Sequence, residues 1–190
     1  MNRNSALEAM ARSVFPPAGL QIHLHADYGS SNPSYRNLIR THLALLEENA
    51  SADILDLNKI PTLSHHSVSI SHCASLGGFA VVNQPKQIGF DIEVFDRVSD
   101  AVAQRISTPE ECRAAPNSAA LWVAKEATFK SLRSKHQPPV IADILIYDWA
   151  PLADGQSQSF RAKCRNSDPI LDGRGAVYNI DRHIFGIFLF

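Results

Sequence analysis

The spacing of apolar residues changes several times along this chain, and the order of those changes restricts the fold. Residues 20–27 alternate apolar and polar side chains, the period of a strand with one buried face. Leu38, Ile39, Leu43, Leu45 and Leu46 recur at helical spacing, so residues 34–49 read as a helix. Residues 50–66 are polar and irregular. Val68-Ser69-Ile70-Ser71 alternates again and stops at His72, and Gly77-Gly78 turns the chain into a second hairpin strand, Phe79-Ala80-Val81-Val82. After a break at Asn83-Gln84-Pro85-Lys86, residues 88–95 form the next strand. Thr108-Pro109-Glu110-Glu111 is a helix start, in which Thr108 caps, Pro109 takes the first helical position and Glu111 completes a capping box. Pro116-Asn117-Ser118 opens a second helix that runs to about Lys135, and Pro138-Pro139 ends it. Three strand-like runs follow, 140–149, 159–165 and 176–190, the last bent near His183. Each half holds helix and hairpin material without βαβ alternation, which predicts an α+β fold. The break at 83–86 is the internal boundary, separating residues 1–86 from 87–190.

A chain of 190 residues is one domain or two small ones. Lys and Arg total 18 against 19 Asp and Glu, a net charge of −1, which argues against a nucleic-acid binder. No apolar run approaches the roughly 20 residues of a membrane span, and the N-terminus carries no secretory signal pattern. Cys73, Cys112 and Cys164 stand far apart, as free thiols of a reducing, cytoplasmic setting do, rather than as a disulfide or zinc framework. The nucleotide-binding and hydrolase signatures rich in glycine are absent.

Three segments carry chemistry. In Gly89-Phe90-Asp91-Ile92-Glu93, strand alternation puts Asp91 and Glu93 on one face and Phe90 and Ile92 on the other. Two neighbouring carboxylates suit Mg²⁺, which also takes waters and substrate phosphates. The same pattern alone also describes the solvated face of an edge strand. In Trp122-Val123-Ala124-Lys125-Glu126-Ala127-Thr128-Phe129-Lys130, Glu126 and Lys130 are neighbours on a helix surface and Lys125 points about 100° away. Taken alone this is an amphipathic helix with one ion pair. In Ser69-Ile70-Ser71-His72, a histidine at a strand end is placed to meet a phosphate or to occupy a turn.

In this order, Ser71-His72, Gly89–Glu93 and Trp122–Lys130 resemble the motifs of the 4′-phosphopantetheinyl transferase superfamily, closest to its single-chain, surfactin-synthetase-activating type. The intervening Ile106-Ser107-Thr108-Pro109-Glu110 is also similar to the family's segment. The resemblance is clear from Val68 to about Lys135. It implies two similar α+β halves forming a pseudo-dimer within one monomeric chain, with coenzyme A in the cleft between them. It implies Mg²⁺, or Mn²⁺ in its place, held by Asp91, Glu93 and Glu126. It also implies transfer of phosphopantetheine from coenzyme A to a serine of an acyl or peptidyl carrier protein, with release of adenosine 3′,5′-bisphosphate.

By the same resemblance Glu126 is the candidate base, alongside a metal-bound water, and Lys130 contacts the pyrophosphate. Lys125 helps to bind coenzyme A, and His72, with Ser71 beside it, meets the 3′-phosphate. The family's Gly-Lys-Pro segment reads Asn58-Lys59-Ile60-Pro61 here, which makes Lys59 a phosphate contact, and Arg36 and Arg40 are further candidates. Arg97, Arg105, Arg133 and Lys135 are candidates for a basic surface that steers an acidic carrier protein. Two other classes stay open: a non-catalytic module that binds coenzyme A or a carrier protein, and an unrelated α+β interaction domain.

Overall fold

The computed structural model describes residues 3–15, 19–47, 52–133, 137–165 and 173–190. It is a mixed α+β structure with two antiparallel sheets. The first holds β1 (Gln21–His25), β2 (His66–His72) and β3 (Gly77–Asn83) in the order β1-β3-β2. The second holds β4 (Ile88–Val94), β5 (Ile144–Pro151), β6 (Gln158–Cys164), β7 (Arg174–Ile180) and β8 (His183–Leu189) in the order β4-β8-β7-β6-β5. Both sheets share a plan. A first strand is followed by helix, and the chain then meanders back until its last strand lies beside the first.

The helices are α1 (Arg3–Val14), α2 (Tyr35–Leu46), α3 (Ala52–Leu55), α4 (Asp100–Ile106), α5 (Pro109–Ala114) and α6 (Ser118–Ser131). Three apolar clusters fix their places. Ile39 and Leu43 of α2 cover one face of the first sheet through Phe79 and Val81. The opposite face, with Ile22, Leu24, Ala80 and Val82, packs with Leu7, Ala11 and Val14 of α1 onto Phe90, Ile92, Tyr178, Phe185 and Ile187 of the second sheet. The far side of the second sheet meets α6 through Val123, Ala124, Ala127, Ile184 and Phe188. The middle cluster therefore draws on both sheets, and the sheets share one core.

Side chains close two open sheet edges. The amides of Ile22 and Leu24 on the edge strand β1 donate to Glu8 and Asn4 of α1, one helical turn apart. On β2, Ser67, Ser69 and Ser71 accept from the amides of Ile88, Phe90 and Ile92 on β4, at 3.2, 2.9 and 3.1 Å. All three pairs are 21 residues apart, so β2 and β4 run parallel along this seam. A row of outward amides left unpaired is costly when buried, and the hydroxyls stand in for a backbone partner.

Several expectations need correction. Gly77-Gly78 belongs to β3, and the turn is the preceding 73–76. A Cβ at Gly77 would lie 2.0 Å from the Tyr28 carbonyl oxygen, so strand packing demands that glycine. The run 176–190 is two strands joined at Asp181-Arg182, with Asp181 at φ 55°. Asp tolerates the left-handed region, so the turn carries no glycine to announce it. The helix expected at 34–49 is helical over Tyr35–Leu46, and 48–51 lie outside the described residues. The second helix is described as far as Ser131, and Ser134, Lys135 and His136 lie outside the described residues.

A histidine cluster sits beneath α2. His23 stacks on Phe79 and meets His42 edge-on at 4.7 Å, while His42 Nδ1 bonds the Tyr28 hydroxyl at 2.7 Å. Burial holds both imidazoles below the usual histidine value, and for His23 the neighbouring His42 adds to this. A histidine whose folded value is depressed contributes stability that is complete above about pH 6.5 and declines as the pH falls below it. Thermal melts from pH 7.5 to 5 should therefore show Tm falling below about 6.5. His23→Phe should flatten that fall, because it removes one of the two depressed imidazoles, and among the described residues His23 Nε2 has no hydrogen-bond partner to lose. An unchanged slope in the variant contradicts this reading.

Candidate active site

The site is built where α6 crosses β4 and β8 at backbone distance. A Cβ on Gly89 would fall 1.7 Å from the Ala127 carbonyl oxygen, and one on Gly186 would fall 2.4 Å from that of Val123. Only glycine fits at these two strand positions, and the close approach lays residues 123–131 of α6 directly on β4 and β8. Asp91, two residues from Gly89 and on its face, then meets Lys130: Nζ lies 2.6 Å from Oδ1. Lys130 Nζ also donates to Ser71 Oγ at 3.1 Å, and Ser71 Oγ donates to Asp91 Oδ1 at 2.7 Å.

Glu126 is the second carboxylate here, one turn before Lys130. Its pKa is raised by burial first and by the charge of Asp91, against the pull of Lys130 and Arg133. Lys130 is ion-paired with Asp91, and Glu126 lies within reach of both charges without an ion pair of its own among the described residues. Glu93 lies on the Asp91 face of β4, but its carboxylate is turned to its neighbour's backbone. Val94 N donates to Oε1 at 2.8 Å, and Arg97 stands 3.9 Å away. Among the described residues no three side chains are gathered as a ready metal site. The hard oxygens and the unbalanced charge of Asp91 and Glu126 nonetheless fit a divalent cation.

His72 stands at the rim, exposed, with its ring edge-on to Tyr35 at 4.5 Å. Its pKa is lowered by burial, and the positive charges of Lys130 and Arg36 add to this. Arg36 is exposed, donates to the Tyr35 hydroxyl and lies over its ring, 5.6 Å from the centroid. Lys130 and Arg36 give this end of the site a positive potential, which favours the neutral form of His72. A groove of about 270 Å³ opens from Lys130 and Arg133 toward Ile60, Pro61, Leu63 and Ile88.

Three expected ligand contacts, Lys125, Arg40 and Lys59, are turned away from the site, and a fourth, Ser71, reaches it only through its bonds to Asp91 and Lys130. Lys125 is wholly buried, pairs with Glu111 at 2.8 Å and donates to the Ile144 carbonyl, so it ties α6 to α5 and β5. Its 100° offset from Glu126 turns it into the core. Arg40 is 7% exposed and donates to the carbonyls of Ile54 and Lys59, holding the 54–59 loop. Lys59 is ion-paired on the surface with Asp53 at 2.8 Å. Ser71 is 6% exposed and faces β4, on the side of β2 away from its neighbour His72. Of the basic residues expected to steer a partner, Arg97, Arg105 and Arg133 are exposed, and Lys135 lies outside the described residues.

The alternation in 68–71 marks a strand but does not say what its serines meet. The signal available was three serines at two-residue spacing, Ser67, Ser69 and Ser71. Tyr35, which frames His72, follows a loop and carried no signal.

Residues 87–166 match the family model of the 4′-phosphopantetheinyl transferase superfamily. The match runs from the start of β4 through α6 to the end of β6, and includes Asp91, Glu93, Glu126 and Lys130. It points to a transferase of the phosphopantetheinyl kind. Ser71 and His72 precede the matched segment. No curated protein matches the chain. No described helix is long and apolar enough to cross a membrane.

A carboxyl whose folded pKa is raised contributes stability at low pH that is lost as the pH rises through that value. Glu126→Gln should therefore melt at or above the wild-type temperature at pH 7.5, with the difference shrinking toward pH 4.5. A lower melting temperature for Glu126→Gln at pH 7.5 would show that the ionised carboxylate stabilises the fold.

Proposed function

We propose that this protein transfers the 4′-phosphopantetheine group of coenzyme A to a serine hydroxyl of an acyl or peptidyl carrier protein. Adenosine 3′,5′-bisphosphate is released. The observation that carries the reading is the convergence of Asp91, Glu126 and Lys130 inside the segment that matches the transferase family model. In the proposed arrangement residues 1–86 and 87–190 are the two halves of a monomeric pseudo-dimer, and coenzyme A lies between them. The plan common to the two sheets supports this.

Each side chain has a part. Lys130 grips the diphosphate and stabilises the charge that grows on the departing bisphosphate. His72 and Arg36 meet the 3′-phosphate. Glu126, made more basic by burial, takes the proton of the carrier serine. The serine oxygen bonds to the phosphorus that bears pantetheine, and the anhydride bond to the adenosine bisphosphate breaks. Asp91 and Glu126, with Glu93 from the same strand face, would hold Mg²⁺ or Mn²⁺. When bound, the ion supplies positive charge against the diphosphate oxygens. Exposed Arg97, Arg105 and Arg133 favour an acidic partner, and the scattered free cysteines suit the cytoplasm.

Intact-mass measurement of apo carrier proteins, incubated with this protein, coenzyme A and Mg²⁺, tests the reading. The expected result is a gain of one phosphopantetheine on at least one carrier, lost with Glu126→Gln and with Lys130→Met. Failure on every carrier, with no rise in melting temperature on adding coenzyme A, contradicts it.

A further inference from the structure

The hydroxyl of Ser71 has no capacity left for a ligand. It donates its one proton to Asp91 Oδ1 and accepts from Ile92 N and from Lys130 Nζ, at 2.7, 3.1 and 3.1 Å. A serine hydroxyl offers one donor and two acceptor positions, so all three are used. The atom is also buried and faces β4, whereas His72 faces α2 on the other side of the strand. Ser67 and Ser69 make the same bond to the β4 backbone, but among the described residues neither touches a carboxylate. Ser71 is the rung at which the seam between the sheets reaches the charged site.

We infer that Ser71 is a positioning residue that fixes the Asp91 carboxylate for cation binding and makes no contact with coenzyme A. By occupying Oδ1 from the β2 side, it orients the carboxylate on β4, and it holds Lys130 against the same oxygen. The inference rests on the proposed transferase reading for the identity of the cation and nucleotide. A group that hydrogen-bonds a metal-binding carboxylate commonly accounts for ten- to hundredfold in metal affinity.

The test compares wild type with Ser71→Ala, Ser71→Thr and Ser69→Ala in two binding titrations. Mn²⁺ is followed by the electron paramagnetic resonance signal of the free ion, and adenosine 3′,5′-bisphosphate by calorimetry without metal. Ser71→Ala should bind Mn²⁺ about tenfold more weakly or worse and the bisphosphate as wild type does. Ser71→Thr, which keeps the hydroxyl, should recover Mn²⁺ affinity. Ser69→Ala removes a neighbouring rung and should lower the melting temperature while leaving Mn²⁺ affinity unchanged.

Loss of bisphosphate affinity in Ser71→Ala with Mn²⁺ affinity intact makes Ser71 a ligand contact and overturns the inference. Equal loss of Mn²⁺ affinity in Ser69→Ala also overturns it, because the effect then belongs to the seam in general. A wild-type protein that binds no Mn²⁺ overturns it together with the cation assignment. If wild type binds Mn²⁺ but neither coenzyme A nor the bisphosphate, the transferase reading fails while the Mn²⁺ comparison still decides the role of Ser71.

Discussion

Three serine hydroxyls join two sheets that are separate ladders. Ser67, Ser69 and Ser71 bond the outward amides of Ile88, Phe90 and Ile92, and the rest of the molecule depends on that seam. Without it β4 has an open edge in the middle of the protein, and the first sheet has no fixed register against the second. Each such bond is worth only about 0.5–1.5 kcal/mol net, but leaving a buried amide unmade costs about 1–3 kcal/mol. The seam therefore acts mainly by forbidding other registers. Because the rungs repeat at the strand period, one of them, Ser71, falls beside Asp91 on β4.

The second constraint is the glycine contact between α6 and the strands below it. Gly89 and Gly186 let the helix backbone sit where any side chain would collide. That approach places Lys130 within 2.6 Å of Asp91 and leaves Glu126 half-buried with a raised pKa. Burial and crowding of like charge are the usual means by which acids are tuned for proton transfer, and here both follow from helix packing. The neighbouring face of the helix uses a different solution. Lys125, the neighbour of Glu126, is neutralised by Glu111, whose other oxygen accepts from the Thr108 backbone and caps α5. One short stretch of α6 thus carries a carboxyl beside Asp91 and Lys130 and a buried cation that serves packing.

Much of this was legible in the sequence. The strand periods at 20–27 and 88–95 and the capping box at Thr108 correspond to β1, β4 and the start of α5, because each is a local pattern with a local cause. The grouping of Asp91 with Glu126 and Lys130 was legible only through the ordered motifs, since the strand and the helix meet through a glycine packing that no single segment reveals. Helix α1 was not legible: its buried residues Leu7, Ala11 and Val14 are few and one is alanine, so tertiary contact makes the helix visible. Lys125 misled because a cation in a motif reads as a ligand contact, and Arg40 because a basic residue of the N-terminal half reads as a phosphate contact. Their burial depends on Glu111, Ile54 and Lys59, which lie 14 to 19 residues away in sequence.

Amide hydrogen exchange at β4, resolved residue by residue, tests most directly whether the serine seam holds the sheets together. The amides of residues 89, 91 and 93 face β8, while those of Ile88, Phe90 and Ile92 face β2, where their partners among the described residues are the serine hydroxyls. The seam requires both sets to exchange slowly, and Ser67→Ala with Ser69→Ala to release Ile88 and Phe90 while the β8-facing set stays protected. Fast exchange at Phe90 and Ile92 in the wild-type protein would contradict it, and the two sheets would then be joined by their apolar core alone.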